Sequence, residues 1–461
     1  MRRMERWLAA PEARWILAIF ALAFFLRLVT VVYVHPSPRD GRFDDSVFYD
    51  SAARNLAAGR GYVFDPTVFV TADGHPIYPG EHALTATALW PPGYPATLAV
   101  IYKATANSQW AARLFNVLVG ALTPVLVFLI AKKLFDLTAG VFAGLTLAVL
   151  RGHVLFTAVL LSETWFGFLL ALILAVSVYF VFPKDRPSLL VLAGLGALTA
   201  FTGYVRGEFL AFGGVLALLL LLRYRRQAAL PLAALAIGAA VIVTPWVVRN
   251  EVQMHALILG TTGSGRVAYQ GHNPDTNGRD SLAAYFSLEQ PYKGLSRTDI
   301  EVKANADGSR LARSYALHHT LRELQLIPMR TWQLFASDDA AVTWIQVDKP
   351  WFSAAGADKL IRLSSFTFFG LIALAVAGAP FWFRRNDLRI WLILSVVLFY
   401  MVVFGVLFIG ITRYHYALYI PLSIFGSVSL AEIWRMSADR WRQLFGGRSV
   451  AVAARNEAAA R

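Results

Sequence analysis

Long apolar runs recur along almost the whole chain, and they restrict its fold more than any other feature. With 57% hydrophobic and only 16% charged residues, the chain is far more apolar than ordinary globular proteins. A helix needs about 20 mostly apolar residues to cross the hydrocarbon core of a bilayer. The sequence therefore predicts an all-α polytopic membrane protein with about ten transmembrane helices, at residues 15–33, 111–131, 138–150, 164–182, 188–203, 207–222, 229–247, 364–383, 388–410 and 414–434.

The positions of the basic residues predict the orientation of these helices. Cytoplasmic loops of membrane proteins carry an excess of lysine and arginine. An even number of spans with a cytoplasmic N-terminus places both termini and nearly every basic cluster on the cytoplasmic side. Because the net charge of +14 is spread between the spans, it does not indicate nucleic-acid binding. The clusters are Arg2/Arg3/Arg6, Lys132/Lys133, Lys184/Arg186, Arg223/Arg225/Arg226, Arg384/Arg385/Arg389 and the tail from Arg435.

The first span and the lack of cysteine set two further limits. The span has basic flanks like a signal peptide, but it continues into VVYVHPSPRD without a small-residue cleavage site, and we expect a retained anchor. The chain contains no cysteine, which excludes disulfides and thiolate metal sites. The outer loops must therefore be held by packing alone.

On this topology most of the polar sequence lies outside the cell. We expect an N-terminal transmembrane module at 1–249 that includes a long outer loop at 34–110, and an extracytoplasmic insertion at 250–360. C-terminal transmembrane helices at 361–434 and a cytoplasmic tail at 435–461 follow.

Charged residues stand at the outer ends of several predicted helices. Ionisable groups at membrane depth are costly and usually face a protein cavity or water. These helix ends are therefore candidate sites of chemistry. The residues concerned are Glu163, Arg206, Glu208, Arg413 and His415.

The first outer loop contains a short helical pattern. Asp45, Tyr49, Ala53 and Leu56 recur at helical spacing, and glycines follow at 59 and 61. This predicts a helix on the membrane surface that begins at an aspartate and ends at a glycine, and a second interfacial helix is expected at 93–103. Two hydrated carboxylates at a helix start are ordinarily a cap and a solubilising patch.

Several motifs in a fixed order favour a functional interpretation. The sequence reads Asp45-x3-Tyr49-x3-Ala53-x2-Leu56-x2-Gly59-x-Gly61, then WPPGYP at 90–95, SE at 162–163, VRGE at 205–208, PWVVRN at 245–250, GHNPD at 271–275 and RYHY at 413–416. This series resembles the GT-C glycosyltransferases. It is most similar to the branch that takes its sugar from a polyprenyl phosphate, which includes the protein O-mannosyltransferases of glycosyltransferase family 39 and the aminoarabinose transferases acting on lipid A.

The resemblance implies a GT-C bundle with outer-face interfacial helices and an extracytoplasmic insertion. It implies a hexosyl- or pentosyltransferase that moves sugar from a polyprenyl phosphate to an extracytoplasmic protein, lipid or glycan, in a prokaryotic inner membrane. The family's catalytic aspartate, a general base, matches Asp45, with Asp44 as the alternative. An acidic residue near sugar and acceptor matches Glu163.

A phosphate leaving group needs cations. Arginine offers bidentate, charge-assisted hydrogen bonds to phosphate, so Arg206, Arg249 and Arg413 are candidate phosphate ligands. Arg249 could equally snorkel from a helix end, and Arg206 could form a structural ion pair with Glu208. Further candidate substrate contacts are Arg27, Tyr49, His415 and Asn273, although Asn273 is more simply a turn residue and His415 an interfacial anchor.

Two other kinds of site find little support. The segment GTTGSGRV at 260–267 has the glycine spacing of a P-loop, but Arg266 and Val267 replace the required Lys and Ser/Thr. No histidine or carboxylate spacing matches a zinc site. A divalent cation bound between Asp44, Asp45 and the donor phosphate is a hypothesis that no motif in the sequence supports.

Three rival functions remain. A secondary transporter would also carry polar groups in its helices, but transporters usually show paired repeats with broken helices near the midplane. A lipid-linked oligosaccharide ligase would share the architecture. A non-catalytic scaffold or lipid-binding subunit would tolerate loss of both Asp44 and Asp45.

Overall fold

The computed structural model describes residues 11–38, 44–71, 74–347 and 349–459. The predicted cytoplasmic cluster at Arg2, Arg3 and Arg6 lies outside these ranges. Most of the described chain is helical. The helices are α1 Pro11–Tyr33, α2 Asp45–Ala57, α3 Gly93–Ala104, α4 Gln109–Leu134, α5 Leu137–Val149, α6 Arg151–Leu155, α7 Glu163–Val176, α8 Leu189–Val205, α9 Phe212–Tyr224, α10 Ala229–Met254, α11 Ser264–Gly271, α12 Leu282–Ser287, α13 Arg297–His318, α14 Thr320–Phe335, α15 Ala340–Ile345, α16 Ala354–Ala377, α17 Ala379–Phe383, α18 Leu388–Val402 and α19 Tyr419–Ala459.

Every predicted span corresponds to an apolar helix or helix pair in the described chain. Eight helical segments are long and apolar enough to cross a membrane, and α5 with the segment from α6 to Ala158 adds a ninth. The remaining predicted span corresponds to the shorter helix α8. The chain is an integral, multi-pass membrane protein. The eight segments are Glu12–Tyr33, Gln109–Leu134, Glu163–Val181, Gly207–Gln227, Ala229–Met254, Ala354–Ala377, Leu388–Leu407 and Thr412–Arg440.

A bend follows one predicted span. The run 138–150 corresponds to α5, and α6 follows α5 at an angle of 56°. Leu150 between them has extended backbone angles, which interrupts the helical hydrogen bonding. The Ala148 carbonyl accepts a hydrogen bond from Arg27 instead, at 3.2 Å. A buried arginine thus supplies a hydrogen-bond donor to a backbone carbonyl that the break leaves without a helical partner.

Contacts between helix ends separate the molecule into two polar ends. At one end Lys132 pairs with Glu12, Arg435 pairs with Asp136, and Arg385 donates to the Leu134 carbonyl at 2.9 Å. The other end gathers the described parts of the long segments 34–108 and 255–353 and the connections at 150–162, 206–211 and 408–418. All of the chemistry considered below lies at this second end. That it faces away from the cytoplasm is a prediction.

The first long segment folds much as its pattern predicts. Helix α2 begins after the N-cap Asp44, and Gly59 and Gly61 follow it with φ of +76° and +87°, angles that favour glycine. The second predicted helix is α3. Between them β1 (Val63–Phe64) pairs antiparallel with β2 (Thr85–Ala86), with Val63 opposite Ala86. Both helices are confirmed, and their position on the membrane surface stays a prediction.

The second long segment is a helical layer, α11 to α15, that covers the first. Its glycine pattern serves packing. A side chain on Gly265 would approach the Asn305 carbonyl oxygen to 2.1 Å, and one on Gly263 would approach the Leu89 carbonyl oxygen to 2.7 Å. The P-loop-like spacing is therefore explained by close contact of α11 with α13 and with the first long segment.

Candidate active site

The two adjacent aspartates at the start of α2 have different partners. Asp44 is the helix cap: its Oδ1 accepts the backbone N–H groups of Ser46 and Val47 at 2.7 and 3.0 Å, and the Ser46 hydroxyl at 2.6 Å. Burial raises the pKa of Asp44, and these hydrogen bonds oppose the rise. The Asp45 carboxylate instead contacts the indole of Trp90 and the guanidinium of Arg413.

Asp45 belongs to a chain of alternating charges, here called the ion-pair network. Its Oδ2 accepts from Nη1 of Arg413 at 2.5 Å, and Nε of Arg413 donates to Oε1 of Glu163. The same Glu163 oxygen accepts from Nη1 of Arg206 at 2.8 Å, and Nε of Arg206 donates to Glu208 at 2.7 Å. Four of these five residues are predicted site residues, and the structure brings them together from positions up to 368 residues apart.

Burial differs sharply along the ion-pair network. The Glu163 side chain is 1% exposed, and its Oε2 has no hydrogen-bond partner in the described structure. The Asp45 side chain is 27% exposed, which makes it the most accessible carboxylate of the set. Arg206 and Arg413 each use Nε and Nη1 on carboxylates, and within the described residues no bond engages either Nη2. Two guanidinium groups therefore retain free donors beside an accessible carboxylate.

Aromatic rings hold the arginines in place. The guanidinium carbon of Arg413 lies 4.8 Å from the ring centroid of Trp344. That of Arg206 lies 5.3 Å from Tyr414 and 5.7 Å from Phe166. Cation–π contacts of this kind restrict the planar guanidinium without using its hydrogen-bond donors.

Arg249 is linked to the ion-pair network only indirectly among the described residues, through Tyr62 and Trp90. Its Nη1 donates to the Thr87 carbonyl at 2.7 Å, its Nη2 donates to the Tyr62 carbonyl, and the guanidinium lies 5.2 Å from the ring of Trp246. The Tyr62 hydroxyl in turn donates to the Trp90 carbonyl at 2.9 Å. In the described chain no ion pair joins Arg249 to a carboxylate, so its positive charge is not neutralised by direct contact.

Comparisons with known proteins agree with this architecture. A family model described as dolichyl-phosphate-mannose-protein mannosyltransferase matches residues 90–248 of the 461. The archaeal oligosaccharyltransferase AglB from Archaeoglobus fulgidus, solved with an inhibitory peptide and a dolichol-phosphate, matches with a TM-score of 0.53 at 12% identity, over 95% of this chain and 52% of AglB. AglB is a GT-C glycosyltransferase. The chain has the GT-C fold.

Two further structures complete the comparison. The Archaeoglobus fulgidus oligosaccharyltransferase tethered with an acceptor peptide matches with a TM-score of 0.54 at 12% identity, over 95% of this chain and 51% of that one. ArnT from Cupriavidus metallidurans bound to undecaprenyl phosphate matches with a TM-score of 0.43 at 15% identity, over 92% and 79%. This GT-C chain spans about half the length of the oligosaccharyltransferase. Among curated protein sequences no match was found.

Tyr49, a predicted substrate contact of the GT-C chain, lies one turn after Asp45 on α2. Its ring is buried and meets Tyr94 edge-on, with centroids 5.3 Å apart. Burial, with the nearby charge of Asp45, raises the pKa of the Tyr49 hydroxyl well above its usual range. The phenol therefore stays protonated, as a hydrogen-bond donor to an anion or a sugar must be.

Arg27 and His415 lie away from the ion-pair network. Arg27 is fully buried in α1, where its Nη2 contacts Nδ1 of His153 at 2.6 Å. Both ring nitrogens of His415 are engaged, by the Leu334 carbonyl at 2.8 Å and by Asp338 at 3.2 Å. A substrate contact for either residue stays a prediction, and for His415 it would require one of these bonds to open.

Asn273 shapes the turn that follows α11. Its amide donates to the carbonyls of Tyr269 and Gln270 at 2.7 and 3.1 Å, and its Oδ1 accepts from the Asp275 N–H at 2.9 Å. Within the described residues, no group of three or more histidines and carboxylates is placed to hold a metal ion.

Two aromatic residues of the candidate site make contacts that the sequence analysis did not predict. In the sequence analysis Trp90 was noted only as part of the WPPGYP motif, and Trp344 was not singled out. The signal for Trp90 was its place in the WPPGYP motif, within the same predicted outer loop as Asp45. No sequence pattern indicated that Trp344 would lie over Arg413.

Proposed function

We propose that this protein is a membrane glycosyltransferase that moves one sugar from a polyprenyl phosphate to an acceptor at the extracytoplasmic face of a prokaryotic inner membrane. The observation that carries the proposal is the accessible Asp45 carboxylate beside two arginines that each keep a free Nη2. The family model for a dolichyl-phosphate-mannose mannosyltransferase and the fold shared with a dolichol-phosphate-bound AglB support a lipid-phosphate donor.

In this proposal Asp45 is the general base. The acceptor oxygen or nitrogen attacks the anomeric carbon of the donor sugar, and the bond between that carbon and the phosphate oxygen breaks. The acceptor proton passes to Asp45, and the polyprenyl phosphate leaves with the electron pair of the broken bond. A phosphate departs as a stable anion, so no general acid is required.

The arginines bind the departing phosphate. The free Nη2 groups of Arg206 and Arg413 supply two donors, and Arg249 adds a positive charge that no carboxylate of the described residues contacts. Charge-assisted hydrogen bonds from arginine to phosphate strengthen as negative charge develops on the leaving oxygen. The protonated hydroxyl of Tyr49 is a further donor on the Asp45 side of this group.

Glu163 acts through the arginines in this scheme. Its side chain is almost fully buried, and its Oε1 joins Arg206 to Arg413. A carboxylate in that position fixes both guanidinium groups before substrate arrives, which removes a cost of reorganisation. We therefore propose a positioning role for Glu163 in place of the catalytic role predicted from sequence.

An oligosaccharide donor is the alternative, and the AglB fold match favours it. A lipid-linked monosaccharide and a lipid-linked oligosaccharide differ in mass, so mass spectrometry distinguishes the two donors. Lipid extracts are analysed by mass spectrometry for polyprenyl-linked sugars in cells with the wild-type protein, Asp45→Asn, Asp44→Asn or no protein.

We expect one polyprenyl-phosphate monosaccharide to accumulate in the null and the Asp45→Asn cells, and not with Asp44→Asn, since asparagine also caps helices. Accumulation of a lipid-linked oligosaccharide would show that the donor carries an oligosaccharide and not a single sugar. If the pools of polyprenyl-linked sugars are unchanged while uptake of a solute is lost, the protein is a transporter and the proposed enzymatic function is wrong.

A further inference from the structure

A groove lies on the outer surface of α14, apart from the ion-pair network. It is an open cavity of about 530 Å³ between the second half of α14 and the loop that precedes α12. The ion-pair network contributes no residue to its lining. The lining residues are Asn277, Arg279, Gln325, Pro328, Met329, Trp332 and Gln333.

Helix α14 exposes an apolar stripe that leads into this groove. Leu321, Leu324, Pro328 and Trp332 follow one another at intervals of three and four residues, so they share one face. That face is turned to the surroundings: Leu321 is 78% and Trp332 is 65% exposed. A contiguous exposed apolar surface of this kind indicates a membrane or partner contact.

The opposite face of α14 packs on the end of a membrane span. Arg330 of α14 donates to the Val406 carbonyl at 3.4 Å, and the loop before α12 joins the same region where the Gly410 N–H donates to the Gly278 carbonyl at 3.2 Å. Val403–Leu407 is the last turn of the span Leu388–Leu407, and Val406 and Leu407 are themselves exposed. The stripe on α14 therefore continues the lipid-facing surface of that span at the level where the chain leaves the bilayer.

The groove adds polar groups to the apolar stripe. Arg279 is exposed, and within the described chain no ion pair engages it, although Asp275 and Asp280 are close in sequence. Gln325 and Gln333 place amides on the same lining. One guanidinium and two amides beside an exposed tryptophan match a phosphate headgroup at the membrane interface.

We propose that this groove binds an anionic phospholipid of the adjoining leaflet. The acyl chains lie along the stripe from Leu321 to Trp332, and the phosphate is bound by Arg279 and the two amides. Helix α14 has an apolar face with the exposed Arg322 near its start, as interfacial helices often do. This site is independent of the proposed glycosyl transfer.

The test uses the purified full chain, delipidated in detergent and analysed by native mass spectrometry with added phosphatidylglycerol or phosphatidylcholine. We expect the wild type to retain phosphatidylglycerol in preference to phosphatidylcholine. Arg279→Gln should weaken that binding about fivefold, the effect of one basic residue near a lipid surface. Trp332→Ala should weaken both lipids.

Arg310→Gln is the matched control, because Arg310 is an exposed arginine of the same layer that pairs with Asp307 at 2.9 Å. It should bind lipid like the wild type. Equal binding by the wild type and Arg279→Gln would overturn the proposal, as would displacement of the lipid by inorganic phosphate. A change of oligomeric state in Trp332→Ala, without loss of lipid, would assign the surface to a protein partner instead.

Discussion

The indole N–H of Trp90 donates to Oδ1 of Asp45 at 2.8 Å, while the Trp90 ring stacks on Phe48 with centroids 4.1 Å apart. Because Arg413 binds the other carboxylate oxygen, both oxygens of Asp45 have a fixed partner. The orientation of the proposed base is thus set from two sides. Neither partner is close to Asp45 in sequence.

Trp90→Phe should therefore keep the aromatic stack and lose the hydrogen bond to Asp45. A hydrogen bond to a charged group contributes about 1.5–3 kcal/mol, so we expect a loss of roughly tenfold or more in kcat with a smaller change in KM for the donor. Sugar transfer in detergent-solubilised protein measures both. Trp382→Phe removes an indole bond to the Ala375 carbonyl and should leave kcat unchanged. Equal losses in the two variants would show a general effect on folding.

Substitutions of the two adjacent aspartates should have different effects on activity. Asp45→Asn removes the proposed base and should lower turnover by a factor of roughly 10² to 10⁴. Asp44→Asn should retain activity because asparagine caps a helix as well as aspartate does, whereas Asp44→Ala should cost about 1 kcal/mol of stability. Activity and melting temperature are measured for all three. Activity in Asp45→Asn together with inactivity in Asp44→Asn would move the base to Asp44.

The sequence identified the parts of the site better than their connections. Charged residues at helix ends are conspicuous in an apolar chain, and Glu163, Arg206 and Arg413 were noted on that basis. Asp45 was chosen through the resemblance to the GT-C glycosyltransferases. Whether Arg206 would pair with Glu208 alone, or also with Glu163, depends on the distance between spans that are far apart in the chain. No local pattern determines that distance.

The fold shows the same division. Apolar length predicted the spans, and capping and glycine residues predicted α2. The bend at Leu150 was not predicted, because no proline marks it and its compensation comes from Arg27 on another helix. Aspartate capping is likewise visible in sequence only as a pair of candidates, since the choice between Asp44 and Asp45 depends on where the first helical turn begins.

Glu163 should matter more for stability than Asp45 does. Glu163→Gln leaves Arg206 and Arg413 without their shared buried carboxylate, and breaking a buried ion pair costs about 3–5 kcal/mol. Asp45 is partly exposed, so Asp45→Asn should cost about 1 kcal/mol or less. Thermal unfolding followed by tryptophan fluorescence compares the two. A melting temperature for Glu163→Gln equal to that of Asp45→Asn would contradict the positioning role.

Glu301 should make stability depend on pH. This residue of α13 is buried and accepts the Thr87 hydroxyl and the Ala88 N–H, each at 2.7 Å, and also the Thr262 hydroxyl. Burial raises its pKa above the usual value, and the three hydrogen bonds only partly oppose the rise. It joins the helical layer to the segment just before Trp90.

The sign of the effect follows from proton binding. A carboxyl group whose pKa is raised on folding contributes stability that is complete below its unfolded pKa, about 4.3, and is lost as pH rises through the folded value. Glu301→Gln keeps the shape without the charge. The wild type should therefore lose more melting temperature than Glu301→Gln between about pH 5 and about pH 8. Because the chain has no cysteine, tryptophan fluorescence replaces thiol dyes as the readout.

Asp307 on the same helix supplies the matched control. Hydrogen bonds from Tyr292 and Arg310 lower the pKa of Asp307, so its contribution to stability is present above its unfolded pKa and lost as pH falls through the folded value. Asp307→Asn should leave the difference in melting temperature between about pH 5 and about pH 8 nearly unchanged. Both of these pH values lie above the range in which an aspartate with a lowered pKa binds protons. If the melting temperatures of Glu301→Gln and the wild type fall equally over this pH interval, Glu301 is not the residue that makes stability depend on pH.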